Sequence, residues 1–162
     1  MIVKLYLKRD TSELYARFEV LDEKGMPKYT VRGKQTPSGE SEQIRDINGV
    51  TVCKIRRLGF QSLSAYSITV GSESARLNIA VSGGVASARF RGISFVLRGD
   101  VTAGNYDILD ADNSVVCAVS KDFAKRAATL TVYLEERELF CIAAAVCLDS
   151  LSMDLSPALQ MI

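Results

Sequence analysis

The sequence predicts a mainly β protein, a barrel of ten to twelve antiparallel strands wrapped around one buried helix near the C-terminus. Three observations lead there. First, Glu138-Leu-Phe-Cys-Ile-Ala-Ala-Ala-Val-Cys-Leu148 is apolar on every side, and a helix without a polar face must be surrounded. Its apolar run would be roughly 15 Å long, about half a bilayer's hydrocarbon thickness, so burial in protein suits it better than a membrane. Second, short alternating stretches recur about every ten residues with turn signals between them, the rhythm of sandwiches and barrels. Third, Ala143, Ala144 and Ala145 keep the helix slim. Barrels of about eight strands enclose only side chains, so one that encloses a helix needs more.

The elements follow in order. Met1–Asp10 carries charges every few residues, so it reads as a first strand rather than the apolar core of a signal peptide, and a cytoplasmic protein is expected. Tyr15–Val20 and Lys28–Val31 flank a tight turn at Asp22-Glu-Lys-Gly25, where Gly admits the positive φ that a hairpin requires. The stretch Arg32–Glu42 is polar and reads as a loop with a short strand at its start. Ile44–Gly49 followed by Val50–Ile55 repeats the layout of an apolar residue, Asp two later, a turn and a strand. A third copy begins at Ile108. At an offset of 64 residues, Ile44 meets Ile108, Asp46 meets Asp110, Val52 meets Val116 and Cys53 meets Cys117. Gly49 meets Asn113, the two residue types that best tolerate the left-handed region. Two related halves are therefore expected.

Further strands are read at Tyr66–Val70, Ala75–Val81, Ala88–Arg91, Ile93–Leu97, Asn105–Ile108 and Leu130–Leu134. Turns are expected at Gly71–Ser74, Ser82–Gly84 and Arg98–Asp100, with a bulge at Gly92. Lys121–Ala127 is read as a loop or one helical turn. The helix is placed at residues 137–153, with Glu135–Glu138 as an acidic first turn that suits its dipole. No Pro- or Gly-rich linker interrupts the chain, and one domain over residues 1–162 is expected. That length can bury about 70% of the unfolded chain's surface.

Composition narrows the function classes. Twenty basic and 19 acidic side chains leave a net charge of +1, which supplies no global field for nucleic acid. The chain has no His and no Trp. Without His there is no Ser-His or Cys-His nucleophile pair and no commonest metal ligand. Cys53, Cys117, Cys141 and Cys147 fit no common zinc spacing and read as buried hydrophobes in a reducing compartment. Asp46 and Asp110 precede turns, where Asp bonds the backbone two residues on. Asp149, at the end of a buried helix, reads as capped or paired. No catalytic, cofactor or metal-binding residue is predicted.

The basic residues cluster at Lys54, Arg56 and Arg57, and at Arg89, Arg91 and Arg98. Residues two apart in a strand share a face, so Lys54 pairs with Arg56, and Arg89 with Arg91. Two such strands side by side would hold the phosphates of a lipid headgroup or another anion. The same residues also suit the solvent face of ordinary strands, where charge discourages edge pairing. Phe90 alternates with the arginines and so faces away from them, which disfavours a nucleic-acid stacking platform.

In several features the chain resembles the LURP-one-related family, which shares the tubby C-terminal fold with phospholipid scramblases. These are the strand–Asp-x-x-Gly–strand units at Asp22–Gly25 and Asp46–Gly49, Val52-Cys-Lys-Ile-Arg56 with Tyr66-Ser-Ile68, Gly92 to Gly99 leading into Tyr106-Asp-Ile-Leu-Asp110, and the closing Leu139–Asp149 helix. The resemblance covers essentially the whole chain. It implies a twelve-stranded tubby-like barrel around a hydrophobic C-terminal helix, no agreed enzymatic activity and no catalytic residues. The tubby branch binds phosphoinositides at a basic surface and the scramblase branch acts at membranes. Neither activity has a short signature to place here, and the membrane elements of scramblases have no counterpart. The resulting expectation is a non-enzymatic cytoplasmic protein, peripheral to the inner membrane surface, whose partner is an anionic phospholipid. A protein-interaction scaffold is the alternative. No nucleic-acid partner, transmembrane segment or cofactor is expected. An enzyme or carrier using the barrel interior is disfavoured because the helix fills it.

Overall fold

A computed structural model describes the backbone of residues 1–36, 39–58, 63–122, 124–125 and 127–160; side chains at 34–36, 39, 63 and 150–160 lie outside the described set. Twelve antiparallel strands form one sheet, in the order β8-β7-β6-β5-β4-β3-β2-β1-β12-β11-β10-β9. They are β1 (Val3–Arg9), β2 (Ala16–Leu21), β3 (Pro27–Thr36), β4 (Gly39–Asp46), β5 (Thr51–Arg57), β6 (Leu63–Val70), β7 (Glu73–Ser82), β8 (Val85–Arg91), β9 (Val96–Asp100), β10 (Asn105–Leu109), β11 (Val115–Asp122) and β12 (Ala127–Val132). The sheet curls into a nearly closed barrel. Its two ends, β8 and β9, are consecutive in the chain, and Phe90 meets Phe95 edge-on there at 5.7 Å. Arg137 lies over Phe95 at 5.9 Å and over Phe140 at 5.7 Å.

The repeated turns are alike at the backbone level. Asp22, Asp46 and Asp110 each donate their N–H to the carbonyl four residues on, and their own carbonyls accept from the N–H of Gly25, Gly49 and Asn113 respectively. Those three residues have φ of 80°, 80° and 66°, which glycine adopts freely and asparagine tolerates. The Asp46 carboxylate also accepts from the N–H of Asn48 and of Val50, so its turn-forming role is fulfilled. Asp110 instead accepts from Ser94 Oγ and the Ala111 N–H, and the Ser94 bond leads in holding its carboxyl below the ordinary value. The ladders bulge at the same point of both halves, between Ile44 and Arg45 and between Ile108 and Leu109.

The helix α1 (Glu138–Gln160) follows a 3₁₀ turn at Glu135–Arg137, and its Phe140–Leu148 segment lies inside the barrel. Every residue from Phe140 to Leu148 is 3% exposed or less. The helix packs against β5, β6 and β12, and each large side chain it buries is worth about 1.5–3 kcal/mol. Two of its acidic side chains are tied to the wall. At the N-terminal end Glu138, 6% exposed, accepts from Lys28 Nζ at 2.8 Å and from Tyr29 Oη at 2.5 Å. Burial, and then the bond to Glu138, push the Tyr29 hydroxyl well above its ordinary value. Farther along, Asp149 pairs with Lys121 at 2.5 Å and Arg9 at 3.2 Å. No helix among the described residues is long and apolar enough to cross a membrane.

Three sequence-based expectations are corrected. Within Arg32–Glu42, expected as a loop, residues 32–36 and 39–42 are strand and belong to the β3–β4 hairpin, paired from Tyr29/Asp46 to Thr36/Gly39, while 37–38 lie outside the described residues. Apolar alternation fails there because the inward position opposite Gly33 is Glu42, which meets Arg17 at 3.4 Å. Residues 93–95 are not strand, and β9 starts at Val96. Gly92 turns the chain at φ 83°, where a Cβ would meet Ser74 O at 3.1 Å. Arg98–Asp100 is consequently strand, and the turn follows at 101–104. Between β11 and β12, residues 124–125 form a turn while 123 and 126 lie outside the described residues.

Candidate functional site

Strand alternation decides where each predicted basic residue points. On β5, Cys53 and Ile55 are buried while Lys54 and Arg56 are exposed. On β8, Ala86 is buried while Arg89 and Arg91 are exposed. Register then brings the two clusters onto one outer wall. Arg56 lies opposite Ser67, Ser67 opposite Arg76, and Arg76 opposite Arg91. With strands about 4.8 Å apart, the Arg56–Ser67–Arg76–Arg91 row spans roughly 14 Å. One row over, Lys54 lies opposite Thr69, and Thr69 opposite Ser74. Arg89 lies opposite Asn78.

Lys54, Arg56, Arg76, Arg89 and Arg91 have no carboxylate within ion-pair distance among the described residues. Five cations on adjacent strands without carboxylate partners form a positive wall whose field is set by local placement, not by the net charge of +1. Serine and threonine hydroxyls between them add donors suited to anionic oxygens.

Two of the predicted residues stand apart. Arg57 follows Cys53 and Ile55 on the inward parity; it pairs with Glu40 at 3.5 Å and donates to Ser64 Oγ at 3.2 Å. Arg98 is exposed but lies on β9, beyond the unpaired β8–β9 seam, and Asp107 takes its charge at 2.8 Å. Arg76 is the residue that the sequence clusters omit. Its alternation in Ala75-Arg-Leu-Asn-Ile79 marks it as outward-facing, but only strand pairing shows that it joins the other arginines.

The cysteines belong to the core. All four cysteines are buried and free. Burial pushes the Cys53 thiol up to about 12, and Cys147 is likewise raised by desolvation, so neither forms the reactive thiolate. Among the described residues no group of three or more His, Cys, Asp or Glu side chains is placed to hold a metal ion.

The nearly closed twelve-stranded barrel around a C-terminal helix defines the class of protein. The sequence profile of the LURP-one-related family matches residues 3–149, and the chain belongs to that family. It is 24% identical over 151 residues to the uncharacterised protein YxjI of Bacillus subtilis (strain 168), covering 91% of this chain and 93% of that one. The X-ray structure of a protein from Arabidopsis thaliana has the same fold, with a TM-score of 0.65 at 13% identity over 93% of this chain and 91% of its own.

Proposed function

We propose that this protein is a non-enzymatic binding protein that docks on anionic phospholipid surfaces through the outer wall of β5–β8. The observation that carries the reading is the Arg56–Ser67–Arg76–Arg91 row, flanked by Lys54 and Arg89. Each basic residue near an anionic membrane contributes about 1 kcal/mol, and the effect fades within a Debye length. A wall of this kind needs no membrane-spanning element. It acts as a flat electrostatic surface rather than a pocket for one headgroup. Lipid charge therefore matters more than headgroup chemistry on this wall.

The test is co-sedimentation with vesicles of phosphatidylcholine alone or mixed with phosphatidylserine, at low and physiological salt. The expected result is binding to the mixed vesicles that weakens with salt and is lost on changing Arg56, Arg76 and Arg91 together to Glu. Equal sedimentation with neutral vesicles, or binding indifferent to the triple change, contradicts the reading. The barrel would then be a scaffold whose partners are proteins.

A further inference from the structure

A second feature lies one strand pair away from the wall. On the outer side of the β3–β4 hairpin is a cavity of about 450 Å³, lined by Tyr15, Arg32, Gly33, Ser41, Gln43 and Arg45. Its frame is built from the backbone. Gly33 donates its N–H to the Tyr15 carbonyl at 2.8 Å, fixing the β1–β2 loop over the hairpin. Register sets Arg32 opposite Gln43 on one side, and Lys54 opposite Gln43 on the other. The cavity thus opens beside the cationic wall without being part of it.

Its polar groups are unbalanced in one direction. Gln43 Oε1 is already engaged, accepting from Arg45 Nη2 at 3.2 Å and from Thr51 Oγ1 at 3.3 Å. Among the described residues the Gln43 amide nitrogen, a donor, meets no acceptor and is available to a ligand. Arg45 Nε is buried and has no hydrogen-bond partner among the described residues, although a buried donor left unpaired normally costs about 1–3 kcal/mol. Arg32 is partnered by Glu13 at 3.0 Å, an ion pair in which Glu13 is 60% exposed. Tyr15 and Ser41, each carrying a hydroxyl, also line it. A cavity rich in donors, carrying a guanidinium with an unpartnered Nε and a spare amide N–H, calls for a ligand with several acceptor oxygens and negative charge.

We propose that this cavity binds a phosphate monoester. A tetrahedral dianion accepts from donors approaching on several sides, which suits Arg45, Gln43, Ser41 and Tyr15 arrayed around one space. The volume lies within the range of small-ligand sites, about 300–1,000 Å³, and exceeds what phosphate alone would fill. The esterified group therefore enters with it, as either a soluble metabolite or a lipid headgroup. The inference goes beyond membrane docking and stands without it, because none of the cavity-lining residues belongs to the Arg56–Arg91 row.

The experiment titrates the full chain with glycerol 3-phosphate, and separately with vesicles carrying equal charge as phosphatidic acid or as phosphatidylserine. Only phosphatidic acid presents a monoester. Binding of glycerol 3-phosphate, followed by calorimetry and 31P line broadening, identifies a soluble ligand. A preference for phosphatidic acid over phosphatidylserine without soluble binding identifies a lipid. In either case Arg45→Gln weakens the interaction about tenfold, as expected for losing a charge-assisted bond. Arg45→Lys restores only part of it, and Tyr15→Phe serves as a milder variant should the Arg45 changes unfold the chain. The Arg56/Arg76/Arg91→Glu protein keeps the monoester preference even if it no longer binds phosphatidylserine, so the two readings fail separately. No binding of glycerol 3-phosphate together with equal binding of the two lipids overturns the proposal. So does a monoester response that Arg45→Gln and Tyr15→Phe leave unchanged.

Discussion

The two halves of the barrel share an interior and differ in their exteriors. At the 64-residue offset, Ile44 and Ile108, Cys53 and Cys117, Ile55 and Val119, and Ile68 and Val132 are all buried. On the outward positions of the same strands, Lys54 is matched by Ala118, Arg56 by Ser120 and Ser67 by Thr131. Side-chain parity explains why the interior is constrained: a one-residue slip would turn every inward residue out. Nothing in the barrel requires lysine or arginine on the outside, since β11 holds the same place with alanine and serine. The cations of the first half are therefore surplus to the fold, and that makes them the part to question for function.

The largest expected effect comes from breaking the interior where the halves diverge in chemistry. Arg57 and Lys121 occupy equivalent inward positions, but Lys121 is 5% exposed and paired to Asp149, whereas Arg57 is 30% exposed. Changing Asp149 to Asn removes the carboxylate charge that Lys121 and Arg9 share, and breaking a buried pair from one side should cost about 3–5 kcal/mol in denaturant unfolding. Arg57→Ala should cost about 1 kcal/mol or less, because its partner is partly solvated.

Next in size is overpacking of the helix. Ala144 is fully buried, so Ala144→Leu should lower stability by about 1–3 kcal/mol in the same assay.

A smaller effect concerns Glu42. Burial raises its carboxyl above the ordinary 4.5, and Arg17 only partly opposes the shift. A carboxyl raised in the folded state favours its protonated form, so the stability it contributes is present below the unfolded value and lost as pH rises through the folded one. Glu42→Gln has no such loss. Its melting temperature relative to the parent should therefore climb as pH goes from about 4.5 toward neutrality, and a flat difference would contradict the shift. Smallest of all, outward substitutions such as Arg56→Glu or Ser120→Glu should change unfolding free energy by about 0.5 kcal/mol or less.

What the sequence disclosed follows the same division. The helix was legible because Phe140–Leu148 is apolar all round. The turns were legible because Asp and a left-handed residue recur at fixed spacing. The β3–β4 hairpin was not, since Arg17 and Glu42 meet on an inward face that would normally carry apolar residues; a bulge between Ala16 and Phe18 accompanies that switch. The basic clusters were visible, and parity alone separates Arg57 from Lys54 and Arg56. The join between them was hidden, because it runs through Ser67 and Arg76 by pairing across β6 and β7. Register of that kind is non-local. The β3–β4 cavity was hidden for the same reason: Tyr15 reaches it from a different hairpin.

The measurement that tests the central claim most directly holds charge constant and moves its location. Arg76→Glu changes net charge by two, as does Ser120→Glu with Thr131→Glu in the other half. Binding to phosphatidylserine vesicles at low salt should fall more than tenfold for Arg76→Glu, given about 1 kcal/mol per charge. The double variant should bind nearly as the parent does. Equal losses would mean that net charge governs the interaction and that the β5–β8 wall is not a site.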